Sequence, residues 1–198
     1  IITIFLSSYM IIHGSRLYNF LKPILKFFEF RRDTIEETGE ETLLEDHIIL
    51  VGAHRMGHNI LRALDKSGES FVAVDFDPRI INKLRENNLP CFYGDITDFE
   101  IQKLVGLNKA RLVISTVPDI KDNRSILSFI KNKNPGAKII LTAESEHEAE
   151  LLYSEGADYV LLPHFVGGVE LAEIIRVDKN LTDLVRLKER DLALIRAS

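Results

Sequence analysis

From residue 47 onward, runs of apolar residues alternate with segments in which apolar positions recur every three or four. HIILVG (47–52) is a continuous apolar run ending in glycine, the pattern of a strand buried on both faces. Ile60, Leu61 and Leu64 then share one face of a helix that Gly68 should stop. FVAVD (71–75) predicts a second strand, and Asp77-Pro78 a helix start, with the acid as cap and the proline in the first turn. LPCFY (89–93) predicts a short third strand, after which Thr97 and Glu100 spell a capping box for a helix through Leu104.

RLVIST (111–116), AKIILTA (137–143) and DYVLLP (158–163) predict the remaining strands. A helix carrying Ile126, Leu127 and Ile130 leads to the Asn134-Pro135-Gly136 turn, and another opens on a Ser145–Glu148 capping box and ends at Gly156. A last helix is expected after Gly167-Gly168. Six strands alternating with helices predict an α/β fold, a Rossmann-like doubly wound six-stranded parallel sheet, because parallel neighbours need right-handed crossovers.

The first 46 residues have a different character. Residues 1–12 carry no charge and nine of the twelve are apolar, too short a run to span a bilayer, which takes about 20. The chain starts inside that run with Ile1, and so reads as the tail of something longer. Leu17, Phe20, Leu21, Ile24, Leu25 and Phe28 then recur at helical spacing among Arg16, Lys22, Lys26, Arg31 and Arg32, with Pro23 set to kink or restart the helix. A basic amphipathic segment behind an apolar stretch suits the cytoplasmic face of the cell membrane; packing on the folded domain or on another subunit is the alternative. Residues 34–46 hold six carboxylates and no lysine or arginine, as a solvated linker would.

Composition narrows the partners. With 45% hydrophobic and 28% charged residues a core can form, and a net charge of −5 argues against a nucleic-acid partner. The single cysteine, Cys91, lies in an apolar run; it excludes an internal disulfide or a multi-cysteine metal site and reads as a small buried hydrophobe.

The chemistry concentrates at the first strand-to-helix corner, Gly52-Ala53-His54-Arg55-Met56-Gly57. A dinucleotide fingerprint has glycine at the first, third and sixth of these positions; here His54 occupies the third. That places a side chain where the pyrophosphate would approach, able either to bond phosphate or to narrow the site. Asp75 ends the second strand, where an acid accepts from ribose hydroxyls and repels a 2′-phosphate, so NAD(H) or an adenine nucleotide such as AMP is expected before NADP(H). Phe76 and Asp77 follow it. Gly94, Asp95 and Ile96 close the third strand and Ser115 and Thr116 the fourth, on the same carboxyl edge. Together with the corner these are the candidate cofactor-binding residues.

No enzymatic machinery accompanies them. About 35 residues follow the last strand, too few for a substrate domain. The Tyr18–Lys22 pair lies away from the nucleotide edge, and no HExxH, Gly-x-Ser-x-Gly or Walker pattern occurs. His147 and His164 read as surface or loop residues.

VGAHRMG, VAVDFDP, FYGDITD, VISTVPD and GADYVLLPHFVGG, in this order, resemble the RCK N-terminal domain, also called KTN or TrkA-N, over residues 47–176. The segment IITIFLSSYMI…LYNFLKPILKFFE resembles the end of the last transmembrane helix of Kef-type cation/proton antiporters. The resemblance implies a transmembrane-helix end and basic segment over 1–32, an acidic linker over 33–46, the nucleotide-binding domain over 47–176 and a helical tail over 177–198. It further implies a regulatory module that binds NAD(H), AMP or a related nucleotide, works on upstream antiporter helices and forms a homodimer through its sheet edge and last helices. The implied binding positions are Gly52, His54, Arg55, Met56, Gly57, Asp75, Asp95 and Thr116. Gating of potassium or sodium exchange for protons, without catalysis, is the expected function. The rivals are a small NAD-dependent oxidoreductase and a dimerisation module with a vestigial pocket.

Overall fold

Six apolar runs become the six strands of one parallel sheet in the computed structural model, which describes residues 44–177 and 184–196. All of these belong to the unit Thr42–Ser198, one of two into which the chain divides. The apolar run 1–12, the basic segment to residue 32 and the acidic stretch as far as residue 43 lie outside the described residues.

The strands are β1 (Ile48–Val51), β2 (Phe71–Asp75), β3 (Cys91–Tyr93), β4 (Leu112–Ser115), β5 (Lys138–Thr142) and β6 (Tyr159–Leu161). Between and after them run helices α1 (Arg55–Ser67), α2 (Pro78–Glu86), α3 (Phe99–Leu104), α4 (Ile120–Lys133), α5 (Glu146–Ser154), α6 (Pro163–Val177) and α7 (Leu184–Arg196), with a 3₁₀ turn at Leu107–Lys109. Strand order is β3-β2-β1-β4-β5-β6, so the chain reverses direction across the sheet between β1 and β4. Open α/β sheets hold ligands at that switch point.

Alternation along β1 divides the core in two. Ile48 and Leu50 face α1 and α2, packing with Leu61, Ile81 and Leu84. Ile49 and Val51 point the other way, into a larger cluster with Ile126, Leu127, Ile130 and Leu152. Register sets Val51 opposite both Val74 and Ser115, which brings the carboxyl ends of β1, β2 and β4 level. Glycine ends α1 as expected: Gly68 takes φ +69° and its N–H donates to Asp65 O.

Several expectations are corrected. The third helix is capped by Asp98, whose side chain accepts from Glu100 N; Thr97 instead donates through both N–H and hydroxyl to Asp95 Oδ1. An aspartate side chain competes well for nearby backbone amides, and the shift moves the cap one residue on. Ser145 does cap α5, yet Glu148 reaches back to Glu144 N rather than to its own cap. The last helix begins at Pro163, so Gly167 and Gly168 sit inside α6. Proline suits a first helical position, and its early start overrides the glycine pair. Cys91 is half-buried, with burial raising its thiol pKa.

The outer strand is closed off by a side chain. Tyr153 Oη accepts from Val160 N (3.0 Å), meeting an amide of the edge strand β6. At the other end of the sheet, His47 is fully buried and its Nε2 donates to Val105 O at 2.8 Å.

Candidate functional site

The corner between β1 and α1 is built on two glycines with separate steric tasks. Gly52 turns the chain at φ +83°, and a Cβ there would stand 2.6 Å from Thr116 Oγ1. The Thr116 hydroxyl uses that space to donate to Gly52 O at 2.9 Å, tying β4 to the turn. At Gly57 a Cβ would meet Gly52 O at 2.0 Å, so only glycine lets α1 lie this close to β1. Arg55 takes a left-handed φ of +34°, a conformation that costs a non-glycine residue about 1–3 kcal/mol and is found at functional corners.

Helix α1 begins without help. His54 is its cap residue but makes no side-chain capping bond, and no acid occupies the first turn. Helices α2, α3, α4 and α5 are each capped by a side chain, from Asp77, Asp98, Asp119 and Ser145. The partial positive charge at the start of α1 is therefore not met by a protein carboxylate, the condition in which a helix end binds an anion. The His54 side chain is exposed at the rim.

Asp75 is buried, and its carboxylate is engaged on both sides. Oδ2 accepts from Ala53 N (2.7 Å) and Oδ1 from Asp77 N (2.8 Å). The acid thus braces the glycine turn and the start of the next loop, and each oxygen keeps lone pairs for a further donor. Asp77 is clasped by the Arg79 side chain, which holds its pKa down at about 2.

These residues wall a crevice of about 680 Å³, within the usual range for a small-molecule site. Gly52, His54, Arg55 and Met56 form one side, and Asp75, Phe76, Asp77, Arg79 and Ile80 the next. Thr116, Val117 and Pro118 continue the rim, and Thr142, Ala143, Glu144, Pro163 and His164 close it.

The remaining sequence candidates fall elsewhere. Ala53 lies beside the corner, buried, with its N–H on Asp75. Gly57 is buried beneath the turn. Gly94 donates from its N–H to Asp75 O, while Asp95 is occupied by Thr97. Ile96 belongs to the core, and Ser115 is fully buried, so neither side chain lines the crevice. Conversely, Arg79, the Val117-Pro118 pair, Ala143-Glu144 and Pro163-His164 were not anticipated. Their signal was available: they end or follow β2, β4, β5 and β6, and ligands bind outside carboxyl ends. Of the two histidines read as surface or loop, His147 and His164 are both exposed, but each lies within a helix and His164 faces the crevice. Buried Asn123 was also missed; its Nδ2 donates to Val117 O and Thr142 O, joining the loops after β4 and β5.

Among the described residues no group of histidine, cysteine and carboxylate side chains could hold a metal ion. No described helix is long and apolar enough to cross a membrane.

Comparison with known proteins places these features in a wider set. The TrkA-N domain family matches residues 48–163. Potassium channel protein 1 of Methanocaldococcus jannaschii is 33% identical over 153 residues, covering 75% of this chain and 44% of that protein. The putative K(+) efflux antiporter KefB of Alkalimonas amylolytica is 26% identical over 149 residues, covering 75% and 22%. The chain thus spans less than half the length of these relatives. Among solved structures, the TrkA-N domain of inner membrane protein ybaL from Escherichia coli has a TM-score of 0.64 at 25% identity, covering 67% of this chain and 98% of that one. The fold is shared by the AMP-bound Kef C-terminal domain of Shewanella denitrificans, with TM-score 0.60 and 20% identity over 76% and 92%. It is shared also by the GsuK channel bound to NAD, with TM-score 0.56 and 22% identity over 80% and 29%.

Proposed function

Because the chain belongs to the TrkA-N domain family, we propose that its crevice binds an adenine nucleotide, AMP or NAD(H), as a regulatory signal for potassium transport. The observation that carries this is the joint placement of an uncapped α1 start and the braced carboxylate of Asp75 across one cavity. The helix start meets phosphate, Asp75 meets ribose hydroxyls, and exposed Phe76 offers a face for the base. Two bound neighbours of the same fold, one with AMP and one with NAD, support the ligand class.

The reading extends to partners. Similarity to an efflux antiporter and to a channel supports a place on the cytoplasmic side of a potassium transporter, acting on its membrane helices. Antiporter rather than channel is favoured by the Kef-like sequence of residues 1–28. The domain acts as a sensor and not as an enzyme: nucleotide shifts the balance between two arrangements by its difference in affinity for them. Homodimerisation proceeds through α6, which buries none of its residues and exposes Phe165, Val169, Leu171 and Ile175. The outer edge of β6 is a poorer candidate, since Tyr153 occupies the Val160 amide.

Thermal unfolding of the purified chain with AMP, NAD and NADH tests the proposal. A ligand at a hundred times its Kd should add about 2.7 kcal/mol of stability and raise Tm, with no turnover of the dinucleotide. An unmoved Tm with every nucleotide would favour the vestigial pocket, and consumption of NADH would favour the oxidoreductase.

A further inference from the structure

A second cavity, about 460 Å³, lies between α1 and α2 among the described residues. Its polar wall is His54, Arg55, His58 and Asn59 from the start of α1, with Lys83 from α2 opposite. No carboxylate lines it, whereas the nucleotide crevice has Asp75, Asp77 and Glu144. Neither α1 nor α2 carries an acid in its first turn, where acids are otherwise favourable. The two cavities meet, sharing His54, Arg55, Met56 and Ile80.

Cations gathered in a concave site repel one another. The His58 ring feels this directly: partial burial and the nearby Lys83 and Arg62 charges all push its pKa down. An anion in the groove would reverse each of those effects, because it favours the charged ring and screens Lys83 from it. The wall also supplies donors alone, from imidazole, guanidinium, amide and ammonium groups, which match the acceptor oxygens of phosphate.

We propose that the α1–α2 groove is a second anion site that takes a phosphate chain, gripped by His58 and Lys83, with Arg55 shared between groove and crevice. It rests on the nucleotide reading only for where the adenosine would lie. The phosphates have two possible sources: the tail of a nucleoside triphosphate seated in the crevice, or a free polyphosphate.

Titration calorimetry of the full chain with AMP, ATP and inorganic tripolyphosphate, on wild type and on His58→Gln/Lys83→Gln, decides the matter. Both side chains are outside the crevice lining, and Lys83 is exposed. The wild type should bind ATP at least about tenfold more tightly than AMP, or bind tripolyphosphate by itself, and the double variant should lose that gain while keeping AMP affinity. An ATP gain without tripolyphosphate binding identifies the nucleotide tail; tripolyphosphate that binds alongside AMP identifies the free anion. Equal affinity for ATP and AMP with no tripolyphosphate binding would overturn the proposal, as would a double variant indistinguishable from wild type. If AMP fails to bind while tripolyphosphate binds in a His58- and Lys83-dependent way, the groove stands and the crevice reading falls.

Discussion

The carboxylate of Asp75 serves the backbone before it serves any ligand. With Ala53 N on one oxygen and Asp77 N on the other, removing it leaves two amides without their acceptor, at about 1–3 kcal/mol each where they are buried. A simple loss of affinity in Asp75→Ala therefore mixes a disordered turn with a lost ribose contact. Comparing AMP with its 2′-deoxy and 3′-deoxy forms separates them: wild type should prefer the intact ribose by about tenfold, and Asp75→Asn should narrow that preference. If neither protein discriminates, Asp75 is a brace alone. His47 makes a different residue-scale prediction. It is buried, its Nδ1 has no partner, and burial lowers its pKa below the ordinary 6.5. The folded chain thus refuses a proton that the unfolded chain accepts, so stability is full above about pH 6.5 and falls as pH drops toward the folded-state pKa. His47→Gln, which keeps a donor for Val105 O, should lessen the fall in Tm between about pH 7 and pH 5.5. His58 shifts in the same direction and remains, so the slope should shrink without vanishing; equal slopes would acquit His47.

At the scale of elements, the helices differ in how much they owe the sheet. Helix α1 is locked by Gly57, where an added methyl would collide with the Gly52 carbonyl. Gly57→Ala should cost about 1–3 kcal/mol in denaturant unfolding and weaken nucleotide binding, since α1 must shift off β1. Helix α6 is the opposite case. A Cβ at Gly167 would touch nothing, and its backbone is helical, so Gly167→Ala should stabilise by about 0.5–1 kcal/mol through a less flexible unfolded chain. Stabilisation at both glycines would show that the close approach at the corner is not needed. The sequence announced α1 correctly because its apolar face and its stop at Gly68 agree. It misplaced α6 because a glycine pair normally signals a break, whereas here nothing presses on those positions within the chain.

For the whole molecule, the question is what covers α6. Four large apolar side chains on one helix, each more than half exposed (Phe165, Val169, Leu171 and Ile175), are more than a solitary domain ordinarily leaves in water. Light scattering should find wild type dimeric and Val169→Lys shifted to monomer without loss of Tm beyond the dimer's own contribution; a monomeric wild type would remove this surface from the argument. The sequence alone determined the sheet, its six strands and the acid-and-glycine corner. Those depend on local rules: apolar runs make buried parallel strands, and a turn this tight admits only glycine. Tertiary structure decided what depends on neighbours distant in the chain. It levelled the strand ends by register, brought Pro163 and His164 to the same crevice as Gly52, and gave Asp75 its two amides. It also sent Ile96 and Ser115 inward although both stand at strand ends, because the face a side chain takes is fixed by what packs against it, not by its place in the chain.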